Sequence, residues 1–230
     1  MSHIRYSQGM AFAAVCAMVV FAIFLVVLIY RVARVLTTPG ELMVVVAAAP
    51  LGILVADFNG GFVHWFSDTF FAEDSSLFGR GIIAPFREHH RDPLAITRHG
   101  FLECNATNCF LVTPLLVLGT WGIRPEVGDV WMLLAGSVLI FFSVAALLTN
   151  QFHKWAHASK LPPPVRWLQE HHFILSPALH ARHHRGDHTR AFCVTTGWMN
   201  ALLDATGFFR LSERVLKSLG LPQESDEVSS

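Results

Sequence analysis

The sequence predicts an all-α integral membrane protein in which about four transmembrane helices carry a histidine-rich cap on one membrane face. Three observations predict it. Of 230 residues, 53% are apolar and only 15% charged, with a mean hydropathy of +0.45, against about 25% charged residues in an ordinary soluble domain. Four apolar stretches are spaced along the chain, two of them uninterrupted and long enough to cross a bilayer. Thirteen histidines, most of them in pairs and clusters, fall beside or just beyond those stretches. A formal net charge of zero excludes a chain built mainly for electrostatic binding of nucleic acid. Cys16, Cys104, Cys109 and Cys193 form neither a CxxC pair nor a disulfide-like spacing and read as ordinary thiols.

The first stretch, residues 10–30, is uncharged and rich in Val, Ala, Phe and Leu. It is too long for a signal peptide, follows a single Arg5, and has no small-residue cleavage site before Arg31 and Arg34, so an anchored helix is expected. The second, residues 42–66, is interrupted by Pro50, Asp57 and Gly60-Gly61, and its latter part is expected to leave the bilayer or line a cavity. The third, residues 109–121, is short and carries Pro114. The fourth starts at Val130, is apolar to Leu148, and is expected to continue as helix to His157. Four crossings put Arg5, Arg80, Arg87, Arg91, Arg98 and every basic residue from Lys154 to Lys217 on one face. The other face holds only Arg31, Arg34 and Arg124, so the positive-inside rule makes the first face cytoplasmic. Every histidine cluster lies on it. Residues 66–108 and 151–221 are expected to form the cytoplasmic cap of a single domain, residues 1–221. The polar, acidic residues 222–230 are expected to be disordered.

Neutral imidazole is the commonest nitrogen ligand for iron, zinc and copper. His153 and His157 stand four apart, one face of a helix, with Asn150 one turn earlier on the same stripe. His180, His183 and His184 form HxxHH, a single face if helical. His64 and Asp68 repeat the four-residue spacing; Asp68 either ligates or orients His64, and the orienting role is the expectation. His89 and His90 are adjacent and diverge by about 100° on a helix, so they can reach two different metals. Such clusters converging from different helices suit a two-metal centre with mostly nitrogen ligands. One HxxxH pair alone could equally be a haem-binding or interfacial pair. His3 and His188 show no partner spacing and are expected in solvent, and His99 is expected to hydrogen-bond around the centre without ligating. HExxH, GxGxxG, a Walker loop and GxSxG are all absent from the sequence. Without thiolate ligands a structural zinc site is not indicated either.

Histidine boxes beside membrane helices resemble those of the membrane di-iron desaturases and hydroxylases. Narrower strings are present: Asp57-Phe58 with Val63-His64-Trp65, Phe86-Arg87-Glu88-His89-His90, Asp92-Pro93, Ala95-Ile96-Thr97-Arg98-His99, Thr149-Asn150-Gln151 with His153-Lys154-Trp155, and Thr195-Thr196-Gly197-Trp198. From about Asp57 to Arg210 these resemble the plasmanylethanolamine desaturase family, which forms the vinyl-ether bond of plasmalogens. A plant plastid desaturase acting on an acyl chain is a more distant relative. The resemblance implies His64, His89, His90, His153, His157, His172, His180, His183 and His184 as ligands of two iron ions. At His171 the family pattern leads one to expect an aromatic residue, so His171 is taken as peripheral.

The same resemblance implies removal of two hydrogens from adjacent unactivated carbons with O2 as co-substrate and electrons from an external donor such as ferredoxin or cytochrome b5. No side chain can do this by acid–base chemistry. The implied substrate is a membrane ether phospholipid, and the implied setting a bacterial inner membrane with the site on its cytoplasmic face. Arg87, Arg91, Arg98, Arg182, Arg185 and Arg190 lie among the histidines, where they would hold the lipid phosphate or dock an acidic donor, unless they only reflect the positive-inside bias. A phospholipid acyl-chain desaturase or hydroxylase with the same centre is the alternative. Of another class, a membrane metal transporter or sensor would place its ligands near mid-membrane, whereas these clusters lie at helix ends.

Overall fold

Residues 8–73, 83–185 and 187–221 are described by a computed structural model; His3 and the tail 222–230 lie outside them. Ten helices form among these residues: α1 (Gln8–Ala33), α2 (Pro39–Thr69), α3 (Ala84–Arg91), α4 (Ala95–Arg98), α5 (Phe101–Gly122), α6 (Val130–His157), α7 (Pro163–Glu170), α8 (Pro177–His180), α9 (Asn200–Thr206) and α10 (Phe208–Ser218). Helices α1, α2, α5 and α6 are each long and apolar enough to cross a membrane. The chain is an all-helical, multi-pass membrane protein.

Helices α2 and α5 extend beyond the apolar stretches that the sequence marks. Helix α2 runs unbroken through Pro50, Gly60 and Gly61. It opens with a capping box in which the Thr38 hydroxyl accepts from the Glu41 N–H (3.3 Å) and the Glu41 carboxylate accepts from the N–H groups of Thr37 (2.7 Å) and Thr38 (2.9 Å). Helix α5 starts at Phe101, eight residues before the apolar stretch that announced it. Its first turn is held by the Glu103 carboxylate accepting from the Gly100 N–H at 2.9 Å. Asn105 and Asn108 depress the hydropathy there but are satisfied locally. The Asn105 amide donates to Phe101 O (2.8 Å) and its oxygen accepts from the Gln151 N–H (3.1 Å), while Asn108 donates to Leu147 O (3.5 Å). Polar side chains paired in this way can remain inside an apolar helix pair.

The chain forms two compact units. In the first, Met1–Ala56 with Gly100–Gln151, helix α1 packs along α5. Phe21, Leu28, Ala56, Cys109, Val112, Leu116, Leu139 and Phe142 build its core. Gly52 lets α2 and α6 meet: a Cβ there would lie 2.6 Å from Phe141 Cβ and 2.7 Å from Val138 O. The outward residues of α1, among them Phe12, Val19, Ile23 and Val26, are apolar and exposed, as a lipid-facing helix requires.

The second unit, Asp57–His99 with Phe152–Ser230, holds the short helices and the histidine-bearing ends of α2 and α6. Its aromatic core joins Trp65, Phe70, Phe192 and Phe209 with Cys193 and Leu203. The buried Arg87 guanidinium donates to the carbonyls of Ser67 (2.9 Å), Phe70 (3.1 Å) and Phe71 (2.8 Å), closing the C-terminus of α2 where helical partners run out.

Candidate metal centre

Nine histidine contributions converge in the second unit as two groups. His89, His153, His157, His180 and His184 place one ring nitrogen each within 4.8 Å of one another, and so do His64, His89, His90 and His183, with His89 common to both. The helices dictate who meets whom. Four-residue spacing at the end of α6 stacks His153 over His157. Helix α8 is a single turn ending at His180, and the turns that follow send His184 back to the first group and His183 to the second. HxxHH therefore serves both groups, and not as one helical face.

Nitrogen spacing tests whether these residues fit a metal. His180 Nε2 lies 2.9 Å from His153 Nε2, 2.8 Å from His157 Nε2 and 2.9 Å from His184 Nε2. A neutral imidazole has one N–H, so hydrogen bonding can satisfy at most one of these approaches. Two nitrogens bound to one ion at about 2.1 Å and at right angles would stand about 3.0 Å apart, and a cation among them would turn facing lone pairs into bonds. In the second group His183 Nε2 lies 2.9 Å from His90 Nε2, and the buried Nε2 atoms of His64 and His89 make no hydrogen bond among the described residues. Both groups fit metal ions.

Residues 190–199 form a strap that sets the ring orientation. The Nδ1–H of His64 donates to Phe192 O (3.1 Å) and that of His183 to Arg190 O (2.8 Å), leaving both Nε2 lone pairs for the group they share. The strap is itself anchored. Asp57, fully buried, accepts from the N–H groups of Thr195 (3.1 Å), Thr196 (2.8 Å) and Gly197 (3.0 Å) on one oxygen and Met199 (3.0 Å) on the other. Asn200 bridges the N–H (2.8 Å) and carbonyl (3.0 Å) of Cys193, and Asp204 accepts from the Ala191 N–H (3.2 Å). Gly61 admits the strap to α2: a Cβ there would lie 2.5 Å from Cys193 Sγ and 3.1 Å from its backbone. Burial, reinforced by the charges of Asp57 and Asp204, pushes the Cys193 thiol up and keeps it out of the ligand chemistry.

The imidazoles are neutral, as ligands must be. Burial first, and then their mutual repulsion, holds His89 and His180 well below the ordinary imidazole range. The same causes push His90 down to about 2 and His184 to about 4. Burial also pushes His183 down to about 3, against the hydrogen bond to Arg190.

Asp68 Oδ2 lies 3.4 Å from His64 Nε2, 3.7 Å from His90 Nε2 and 3.6 Å from His183 Nε2. The carboxylate thus sits on the side of His64 that faces the second group, while Phe192 O takes the orienting position at Nδ1.

Other expected site residues lie elsewhere. His172, expected as a ligand, is exposed and joins neither group: α7 ends at Glu170, and the chain turns away with His172 in the left-handed region at φ 58°. His171 is exposed and stacks on Trp167 with ring centroids 4.3 Å apart. His99 lies 4.0 Å from the Glu88 carboxylate and Asn150 donates to Cys104 O at 2.8 Å, both outside the groups. Arg87 is buried in its carbonyl clamp, Arg91 pairs with Glu73 and Arg98 with Asp92, whereas Arg182, Arg185 and Arg190 are exposed. His188, expected in solvent, instead stacks on His90 at 4.3 Å. Its left-handed backbone (φ 53°) accomplishes this, and no spacing rule could have announced it. A cavity of about 730 Å³ reaches Asp68, His90 and His188, with Phe209, Arg210 and Glu213 on its α10 side.

The lipid desaturase domain family matches residues 53–223 of the chain. Plasmanylethanolamine desaturase of Myxococcus xanthus is 37% identical over 228 residues, 98% of this chain and 79% of the relative. Plasmanylethanolamine desaturase 1 of Mus musculus is 38% identical over 220 residues, 93% and 80% of the two chains. The chloroplastic fatty acid desaturase 4 of Arabidopsis thaliana is 32% identical over 166 residues, 71% of this chain and 49% of the relative. No solved structure matches the chain. Similarity over nearly its whole length, in a membrane protein whose buried imidazoles fit metal ions, shows that the chain belongs to the plasmanylethanolamine desaturase family and is a lipid desaturase, an oxidoreductase.

Proposed function

We propose that the chain is an O2-dependent desaturase that forms the 1′-alkenyl double bond in the sn-1 alkyl chain of plasmanylethanolamine, giving plasmenylethanolamine. The observation that carries this reading is the pair of imidazole groups joined through His89, in a chain 37% and 38% identical to two proteins named for that substrate. The proposed ligands of two irons are His64, His89, His90, His153, His157, His180, His183 and His184. Asp68 is proposed as a carboxylate ligand, because its oxygen approaches three Nε2 atoms from the side the metal would occupy.

Held by these residues, iron would supply the oxidising chemistry for O2-dependent removal of two hydrogens from adjacent carbons, with two electrons from an external donor and two protons completing the reduction of O2 to two waters. The protein's part is to bind, orient and keep water out. Phe86 and Phe192 flank the His64 ring at 5.2 and 5.9 Å and Phe192 lies 5.1 Å from His183, an apolar wall beside the second group. The strap carbonyls hold two rings in the tautomer that presents Nε2. Orientation matters because misplacing the reacting carbons by about 1 Å can cost on the order of 100-fold in rate. Exposed Arg182, Arg185 and Arg190 are the proposed docking residues for an acidic donor of ferredoxin or cytochrome b5 type, on the cytoplasmic face of a bacterial inner membrane. Arg91 and Arg98 are already paired with carboxylates.

The test is lipid mass spectrometry, with acid lability, on a plasmalogen-free host given alkyl-ether phospholipid and expressing the chain, His153→Ala or His184→Ala. Acid-labile species two mass units lighter, formed by the unaltered chain alone, are expected. Unchanged ether lipids alongside desaturated acyl chains would transfer the reading to acyl-chain desaturation, the activity named in the Arabidopsis relative.

A further inference from the structure

Helix α10 presents three faces where a helix packed on a soluble core needs two. Phe209 is buried in the aromatic core of its unit, and Leu216 packs against the same cluster. Leu211, Val215 and Leu219 are 61%, 49% and 71% exposed. Residues four apart advance by only about 40° around a helix, so these three form one apolar stripe away from the core. Arg210, Arg214 and Lys217 fall between stripe and core and form a basic strip, offset by one acid, Glu213, which pairs with Lys217 at 2.8 Å. Leu202 on the preceding α9 is 58% exposed as well.

We infer that α10 lies in the membrane–water interface, with Leu211, Val215 and Leu219 among the upper acyl-chain carbons and the basic strip at the phosphates of acidic phospholipids. A basic strip beside an apolar stripe is the pattern of helices that rest in this layer. The charge matches an anionic headgroup surface, and a chain with four membrane-crossing helices always has a bilayer within reach. Arg210 and Glu213 also line the cavity that reaches Asp68 and His90. An α10 seated in the interface sets the mouth of that cavity at headgroup depth. The inference rests on the membrane topology and not on the reaction proposed above.

The test places a bimane fluorophore at Leu211→Cys, Val215→Cys or Arg214→Cys, each in a Cys16→Ser background that leaves only the buried cysteines. The full chain is reconstituted in vesicles of phosphatidylethanolamine with phosphatidylglycerol. At 211 and 215, quenching by a phospholipid with a doxyl group high on its acyl chain should exceed quenching by aqueous iodide several-fold, and at 214 the order should reverse. Stronger iodide quenching at 211 and 215 would put the stripe in water and overturn the inference. Quenching by neither would show the stripe covered by protein, whether another segment of the chain or a second copy, and overturns it equally. Lipid quenching that stays undiminished in vesicles of phosphatidylcholine alone would overturn the part assigned to acidic headgroups. None of these readouts depends on catalysis, so failure here and failure of the desaturase reading are separable.

Discussion

His180 and His172 are eight positions apart and of one residue type, yet the fold gives them opposite surroundings. His180 Nε2 meets three other Nε2 atoms at 2.8–2.9 Å, whereas the His172 ring is exposed. His180→Ala should therefore lower metal content and activity by more than the roughly 10–100-fold lost when a residue that only orients a ligand is removed. His172→Ala should retain bound metal; metal analysis of the two purified variants decides it, and metal loss in His172→Ala would return that residue to the ligand set. Protonation gives a second outcome. In the folded chain His183 and His184 titrate near 3 and 4, and His89 and His180 also lie far below the ordinary 6.5. As pH falls below about 6.5 an unfolded chain takes up protons that the folded one refuses, so stability is complete above that value. It is lost progressively as pH falls through about 4 toward 3. Thermal unfolding of the metal-free protein across this window should show Tm falling with pH, and a flat profile would refute the buried neutral cluster.

At the scale of elements, the site depends on how closely the strap and α2 approach. Gly61 is one helical turn before His64, and a methyl group there would meet Cys193, the neighbour of the carbonyl that orients His64. Gly61→Ala should displace Phe192 O and weaken metal binding by about 10–100-fold, the usual cost of losing an orienting partner. The d–d spectrum of the cobalt-substituted protein reports it, and an unchanged spectrum would show that the strap yields without moving His64. Asp57→Ala strands three buried N–H groups and one half-buried one and should cost at least about 3 kcal/mol in denaturant unfolding. Asp57→Asn keeps one acceptor oxygen and should recover part of that. The sequence made α1 and α6 legible because their apolar runs are unbroken, and it read α2 as a helix whose latter part lines a cavity, but it set the start of α5 eight residues late. Pro50 and Gly60-Gly61 interrupt the apolar stretch of α2 without ending its helix, and Glu103, Asn105 and Asn108 lower the hydropathy of the first turns of α5. Gly61, Glu103, Asn105 and Asn108 are each accommodated by a contact distant in sequence or by a local hydrogen bond, and hydropathy records neither. Spacing put His153 and His157 on one face of α6, and the two rings fall in one group. It could not foresee the left-handed turns that leave His172 exposed and stack His188 on His90, because those depend on backbone conformation after the helix ends.

For the whole molecule, the division of the chain into two units predicts where a metal's stabilisation is felt. The first unit has an apolar core of α1, α2, α5 and α6 residues and contributes none of the grouped imidazoles. The second keeps eight imidazoles and Asp68 where another protein would place aliphatic side chains, and neutral nitrogens 2.8–2.9 Å apart are poor substitutes for such packing. Metal binding to the folded state alone adds stability in proportion to its affinity, about 2.7 kcal/mol at 100 times Kd. Because the donors come from residues 64–90 and 153–184, the gain belongs to the second unit. Chelation should therefore weaken amide hydrogen-exchange protection across Asp57–His99 and in the stretch from Phe152 to Leu221, while helices α1 and α5 keep theirs. Hydrogen exchange by mass spectrometry on metal-loaded and chelated protein in one detergent makes the comparison. Equal loss in α1 and α5 would mean that the bilayer-spanning core draws its stability from the metal as well. An unchanged second unit would mean that the imidazole groups hold their places without it.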